Sequence, residues 1–241
     1  MDGSPYWNAL AGRYGSLYDS EWSRFEDASL KRDLERLLAH ANGRRVLDIG
    51  CGAGLGYELL GGPKQMIEYV GFDISAGMLA QFHAKHPEAQ LVQGSADDML
   101  NYFEPSQFDL VISTNVAASF VADVRKLADA IRTLLASKGL ASLSFLNRVS
   151  LRRLYHLKTG PMEEYRTRGD TISEASVLAA TYTAKELWNI CASAGFAEVR
   201  CHYRSVLGGV WESRASVRVE NILFRVVPCL GHAVVVTGVR T

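Results

Sequence analysis

The chain has 241 residues, 48% hydrophobic and 22% charged, a length and mix that bury one large core and exclude a disordered polyelectrolyte. Lys plus Arg number 26 and Asp plus Glu number 26, so the formal net charge is zero and no summed field draws the protein to nucleic acid. Met1 to Gly12 has no basic stretch leading into an apolar one, and no run is long enough to cross a bilayer; a cytoplasmic protein without membrane insertion is expected.

In chain order, Trp7, Tyr14, Tyr18, Trp22 and Phe25 recur at spacings of seven, four, four and three, which predicts one aromatic helix face. Leu30, Leu34, Leu37 and Leu38 continue an amphipathic helix over 27–40, with Asn42-Gly43 as its stop. From Arg45 the pattern changes to short apolar runs separated by turns and helices. The runs are Val46 to Ile49, Tyr69 to Phe72, Gln90 to Val92, Leu110 to Ser113 and Leu140 to Leu146. Strands fed by intervening helices, such as 76–85 and the Val124, Leu127, Ile131, Leu134, Leu135 stripe, imply a parallel sheet. Residues 148–181 break the alternation and predict an irregular or helical lid. Thr183 then caps a helix carrying Leu187, Ile190 and Cys191, closed by Gly195. Late strands are expected over 197–206 and 232–239, with 212–227 reading ambiguously as a helix ended by Pro228. Cys51, Cys191, Cys201 and Cys229 lack CxxC spacing, so reduced thiols are expected, with neither a metal site nor a disulfide framework. The whole chain, 1–241, is expected to form one domain: a helical cap (1–43), a core (44–147), a lid insertion (148–181) and the rest of the sheet (182–241).

The chemistry is concentrated at Val46-Leu-Asp-Ile-Gly-Cys-Gly-Ala-Gly54, where Gly50, Gly52 and Gly54 form the turn after an apolar strand. Backbone without Cβ approaches a ligand closely there. Leu55 and Tyr57 prevent completion of GxGxxG, and no Gly-Lys-Ser or Gly-Lys-Thr closes a phosphate loop. Asp48, just before the glycines, would repel a pyrophosphate and suits a ligand bearing an ammonium group. Asp73 ends the next strand, where its two oxygens can accept from two ribose hydroxyls. The loop and the two acids describe a nucleoside joined to an amino acid.

With VLDIGCGAG at 46–54, GFDIS at 71–75, QGSADDM at 93–99 and FDLVIS at 108–113, the chain resembles the class I S-adenosylmethionine-dependent methyltransferases, particularly the small-molecule group that includes the ubiquinone and menaquinone enzymes. The resemblance implies a Rossmann-like, doubly wound α/β fold: a mostly parallel seven-stranded sheet with an antiparallel terminal strand, plus N-terminal helices and a lid insertion. It also implies S-adenosylmethionine as cofactor and S-adenosylhomocysteine as product. Carried over residue by residue, Gly50, Gly52 and Gly54 lie against the methionine part, Asp73 holds the ribose and Ile74 packs on adenine. Ser95 stands where the family commonly has an acid for the adenine amino group; Ser95 and Ala96 are expected there, with Asp97 as a substitute. Ser113 or Thr114 meets the methionyl amino group. In such a displacement the protein mainly aligns the nucleophile, and a base is optional.

Candidates for the substrate side are Tyr14 and Tyr18, as aromatic walls or simply as packing for the N-terminal helix, and Asn115, as an orienting group or a turn residue. His156 is the histidine to test as a base, against the alternative of a surface residue. His202 on a late strand is a weaker candidate, while Arg152, Arg153, Arg166 and Arg168 either bind an acidic substrate or form a charged surface. The leading function is methyl transfer to an N, C or O atom of a small molecule, with no nucleic-acid partner expected. RNA or protein modification is the alternative, weakened by Thr114-Asn115-Val116 standing where a Pro-Pro-Tyr element would follow the fourth strand. A noncatalytic cofactor-binding partner is a third reading. A homo-oligomer built on the N-terminal helix or on 212–227 is compatible with the sequence.

Overall fold

The computed structural model describes residues 3–41, 43–64, 66–167, 176–208, 210–211, 213 and 215–241; Asn42, Arg168 and Glu212 of the expectations above lie outside them. The aromatic helix predicted through residue 26 is broken. Helix α1 (Ser4–Leu10) passes through a 3₁₀ turn, Ala11–Arg13, into the single turn α2 (Tyr14–Leu17), and the chain restarts as α3 (Glu21–His40). Ser20 causes the restart: its backbone is extended and its Oγ accepts from Ser23 N at 3.0 Å, which satisfies a free amide of the new helix. Trp22 is therefore buried on α3, while Tyr14 and Tyr18 belong to a different segment and line a cavity.

After α3 come β1 (Arg45–Ile49), α4 (Leu55–Leu59), β2 (Glu68–Asp73), α5 (Ala76–Lys85), β3 (Gln90–Gln93), β4 (Phe108–Ser113), α6 (Val124–Leu134) and β5 (Leu135–Asn147). The insertion holds α7 (Leu151–Tyr155), β6 (Met162–Tyr165) and β7 (Val177–Tyr182), followed by α8 (Ala184–Ser193), β8 (Phe196–Arg204), α9 (Ser216–Val226) and β9 (Ala233–Arg240). The main sheet runs β3-β2-β1-β4-β5-β9-β8, with parallel pairing from β3 to β5 and β9 antiparallel to both β5 and β8. This is the Rossmann-like architecture expected from the sequence.

Period-two alternation sends Leu47, Ile49, Phe72, Val111, Phe145 and Val234 into one layer with Leu127 and Ile131 of α6 and Leu187 of α8. Val46, Tyr69, Leu110 and Ile112 point the other way, against Leu30 and Leu34 of α3 and Phe82 of α5. Each such aliphatic or aromatic side chain contributes roughly 1.5–3 kcal/mol on burial, so helices are held on both faces. Toward β8 the second face turns polar: Ser142 and Ser144 of β5, Thr237 of β9, and His202 and Arg204 of β8 line a cavity that also reaches Leu30 and Leu34 of α3.

The insertion contains a β-hairpin that the sequence reading missed. Leu146 has two ladder partners, Thr181 of β7 and Ala233 of β9, which must lie on opposite edges of β5. Because Leu143 pairs with Ser113 of β4 and Val236 of β9, β7 takes over the edge that β4 leaves. The hairpin thus stands beyond the carboxyl end of β4, where an open α/β sheet has its ligand crevice. Thr183 and Glu186 form the reciprocal cap expected of α8.

Candidate active site

The three loop glycines all have positive φ, 71°, 53° and 97° for Gly50, Gly52 and Gly54, but their surroundings differ. A Cβ on Gly50 would stand 2.6 Å from the Ala117 Cβ, and one on Gly54 would stand 2.7 Å from the Phe82 ring. On Gly52 it would meet nothing within 4 Å. Gly54 is the N-cap of α4 and lies off the cavity, so it serves packing. Gly50 and Gly52 line the cavity, and Gly52 presents bare backbone to open space.

Asp73 is the hinge of this cradle. Its Oδ2 accepts from Gly52 N and its Oδ1 from Ser75 N, both at 2.8 Å, so the acid at the tip of β2 fixes the loop after β1. Burial raises the carboxyl pKa and the amides of Ser75 and Gly52 oppose it. Each oxygen keeps further lone-pair capacity toward the cavity. Asn8 of α1 closes the neighbouring loop by accepting from Ser75 Oγ and Gly77 N, both at 2.8 Å. Ile74, Ser95, Ala96 and Asp97 line the same side, with Ser95 capping a 3₁₀ turn through Asp97 N at 3.3 Å.

At the end of β4, Ser113, Thr114 and Asn115 also line the cavity. Ser113 Oγ is buried and has no hydrogen-bond partner among the described residues. Asn115 and Val116 are both left-handed, with φ of 47° and 60°. That conformation is strained for a β-branched residue, and Val116 is held there by its amide bonding to Ser144 Oγ at 3.2 Å.

Besides Gly54, the expected Asp48 and His156 are placed elsewhere. Asp48 lies off the cavity: strand alternation sends it to the α3 side of β1, completely buried, where Tyr69 donates to its Oδ2 at 2.7 Å and Oδ1 has no partner among the described residues. Burial pushes this carboxyl up to about 7, and its place off the cavity keeps it from facing an ammonium group directly. His156 follows the one-turn helix α7, is exposed, meets Tyr155 edge-on at 5.2 Å and does not reach the cavity.

The chamber beside the cradle has the aromatic walls expected at Tyr14 and Tyr18, and adds Phe120, Tyr165 and His232, which the sequence did not point to. Trp7 meets Phe120 edge-on at 5.1 Å, Phe120 meets Tyr165 at 5.2 Å, and Tyr14 lies 5.0 Å from Tyr18 and 6.5 Å from Trp7. These walls come from α1, α2, the turn after β4 and the hairpin. Sequence spacing could suggest the first three residues of this series, but not their meeting with Phe120 and Tyr165. Burial pushes Tyr14 up to about 12 and raises Tyr18 and Tyr165 further, so all three are neutral hydroxyls at physiological pH. His232 also lines the cavity, just before β9. Burial, reinforced by Arg152 and Arg153, lowers it to about 3, and its Nδ1 is buried without a partner among the described residues. Asn147, fully buried, donates from Nδ2 to Cys229 O and Gly231 O at 2.9 and 2.7 Å and so holds the loop that presents His232.

Cradle, chamber and the polar face under α3 form one cavity of about 1080 Å³. The lining residues fit an adenosyl amino acid: bare backbone at Gly52, diol-accepting capacity at Asp73, and an unsatisfied hydroxyl at Ser113. Among the described residues, no three His, Cys, Asp or Glu side chains gather as a metal site, and no helix is long and apolar enough to cross a membrane.

Residues 47–143 match a family model described as a methyltransferase domain. A trans-aconitate 2-methyltransferase from Variovorax paradoxus is 30% identical over 125 residues, covering 51% of this chain and 47% of that protein. The chain spans less than half the length of the curated relatives it matches. A solved S-adenosylmethionine-dependent methyltransferase from Thermotoga maritima, described as a possible histamine N-methyltransferase, aligns with a TM-score of 0.68 at 17% identity over 99% of both chains. Phosphoethanolamine N-methyltransferase 2 of Haemonchus contortus, solved with S-adenosyl-L-methionine, aligns with a TM-score of 0.58 at 17% identity, over 87% of this chain and 52% of that one. At such identities the solved structures support the fold.

Proposed function

We propose that the protein is a class I S-adenosylmethionine-dependent methyltransferase that methylates a small molecule held in the aromatic chamber, a reading supported by the match of residues 47–143 to a methyltransferase-domain model. The observation that carries this reading is the continuity of the Asp73 cradle with the Trp7, Tyr14, Tyr18, Phe120 and Tyr165 walls in a single cavity. A chamber enclosed by rings on several sides suits a compact acceptor, as does the name of the curated relatives.

When bound, the cofactor supplies a methyl group already activated on a sulfonium. Gly50 and Gly52 make room for its methionine part, Asp73 accepts from its ribose, Ile74, Ser95 and Ala96 flank the base, and Ser113 Oγ or Thr114 meets the amino group. Asp97 is an exposed alternative at the base. Tyr14 and Tyr18, whose rings lie 5.0 Å apart, and Asn115 orient the acceptor. The neutral tyrosines and the weakly basic His232 are poor proton acceptors at neutral pH, so the chain acts mainly by alignment and exclusion of water. The acceptor atom, N, C or O, then reaches the methyl group already nucleophilic.

The test is calorimetric titration with S-adenosylmethionine, followed by measurement of S-adenosylhomocysteine formed with a panel of small amines, acids and hydroxylated rings. Saturable cofactor binding with turnover on a panel member is expected. Failure to bind the cofactor, or turnover confined to RNA or protein, would sink the reading.

A further inference from the structure

The insertion contains several cations, and their partners separate structural charges from a free one. Arg153 is almost completely buried, ion-paired with Glu163, and donates from Nη2 to Gly160 O at 2.8 Å and from Nε to Arg148 O at 3.3 Å. Lys158 shares Glu163 at 3.7 Å, and Arg148 pairs with Glu186 at 2.8 Å while donating to Thr181 O at 2.6 Å. Arg166 is exposed and lies off the cavity. Arg152 differs from all of these: it is half-buried, lines the cavity, and its guanidinium has neither an ion pair nor a hydrogen bond among the described residues.

A guanidinium partly withdrawn from water without a partner is unfavourable, and an anion placed beside it offsets that cost. Two features locate where the anion would sit. The Arg152 charge is felt by Tyr165, a chamber wall, and by His232. His232 in turn has a buried ring nitrogen with no partner among the described residues, and its own amide is anchored to Ser205 O at 2.7 Å. A neutral imidazole offers one N–H, and a guanidinium offers a planar fork of donors matched to two oxygens.

We propose that Arg152 is a specificity-determining residue that anchors a carboxylate of the small-molecule substrate, with the His232 ring as a second polar contact. The inference rests on the methyltransferase reading above. A carboxylate is favoured over a phosphate because a single guanidinium, unpaired among the described residues, neutralises one negative charge, and the ring walls at Trp7, Tyr14, Tyr18, Phe120 and Tyr165 add no cation.

The experiment uses the full chain saturated with S-adenosylhomocysteine and calorimetric titration with benzoate, phenylacetate and succinate, each against its amide, and with phenyl phosphate. At least one acid is expected to bind tenfold or more tighter than its amide. Arg152→Gln should abolish that preference with S-adenosylhomocysteine affinity within twofold of the original, and Arg152→Lys should restore part of it. Equal binding of every acid and its amide, a preference that survives Arg152→Gln, or tighter binding of phenyl phosphate than of any acid would overturn the assignment while leaving the methyltransferase reading intact. Absence of S-adenosylhomocysteine binding to the unaltered chain would overturn both.

Discussion

Asp73→Ala is the sharpest perturbation of the cradle, because one carboxylate serves both the loop and the proposed ribose contact. Each of its oxygens accepts one backbone amide at 2.8 Å, from Gly52 and Ser75. The lone pairs that remain are the ones a ribose diol would use. Losing hydrogen bonds to a charged acceptor costs about 1.5–3 kcal/mol, which is about a 10- to 150-fold rise in dissociation constant. The same substitution strips two amides of their acceptor, at about 1–3 kcal/mol each where they are buried, so the fold weakens as well. Asp73→Asn separates the effects: it keeps one oxygen for an amide but cannot accept from both hydroxyls. Calorimetry with S-adenosylhomocysteine, at a temperature where melts show each variant folded, is the assay. Both variants binding within twofold of the unaltered protein would refute the ribose assignment.

Asp48→Asn tests the buried acid off the cavity. Its carboxyl is raised from 3.8 to about 7 by burial, so the folded state holds a proton that the unfolded chain releases, and stability falls as pH rises between those values. The variant should melt higher than the parent at pH 8 and nearly equal to it at pH 4, with an upper bound of about 4 kcal/mol; an equal shift at both would contradict the burial argument. Gly54→Ala should lower thermal stability by about 1–3 kcal/mol through overpacking against Phe82, whereas Gly52→Ala should weaken cofactor binding more than the fold, as read by paired melts and titrations. Asn147→Ala leaves the Cys229 and Gly231 carbonyls without their donor and should cost about 1–3 kcal/mol by denaturant unfolding; an unchanged midpoint would show that the loop before β9 does not need it.

The strands and helices of the core were legible because their signals are local. Val46 to Ile49 and Tyr69 to Phe72 are apolar runs followed by turn residues, residues 76–85 carry a cap at Ser75, and Thr183 with Glu186 forms a cap within four residues. The cradle was legible for the same reason, since Gly50, Gly52 and Asp73 act through backbone conformation at strand ends. What failed was whatever depended on direction or long-range pairing. Asp48 was assigned to the ligand from its nearness to the glycines, yet strand alternation turns it into the α3 side. Ser20 interrupted a regular aromatic spacing, and the β6–β7 hairpin pairs segments whose connection, 166–176, is too long for Gly169-Asp170 to mark a tight hairpin turn.

By itself, then, the sequence determined the order of the core elements from β1 to β5, the glycine turn and the acid that accepts at the strand tip, because each follows from residues within a few positions of one another. Tertiary structure decided which residues share the chamber. Trp7, Phe120, Arg152, Tyr165 and His232 come from five separate segments, and only the placement of β7 and β9 on opposite edges of β5 brings the last three to the carboxyl end of the sheet.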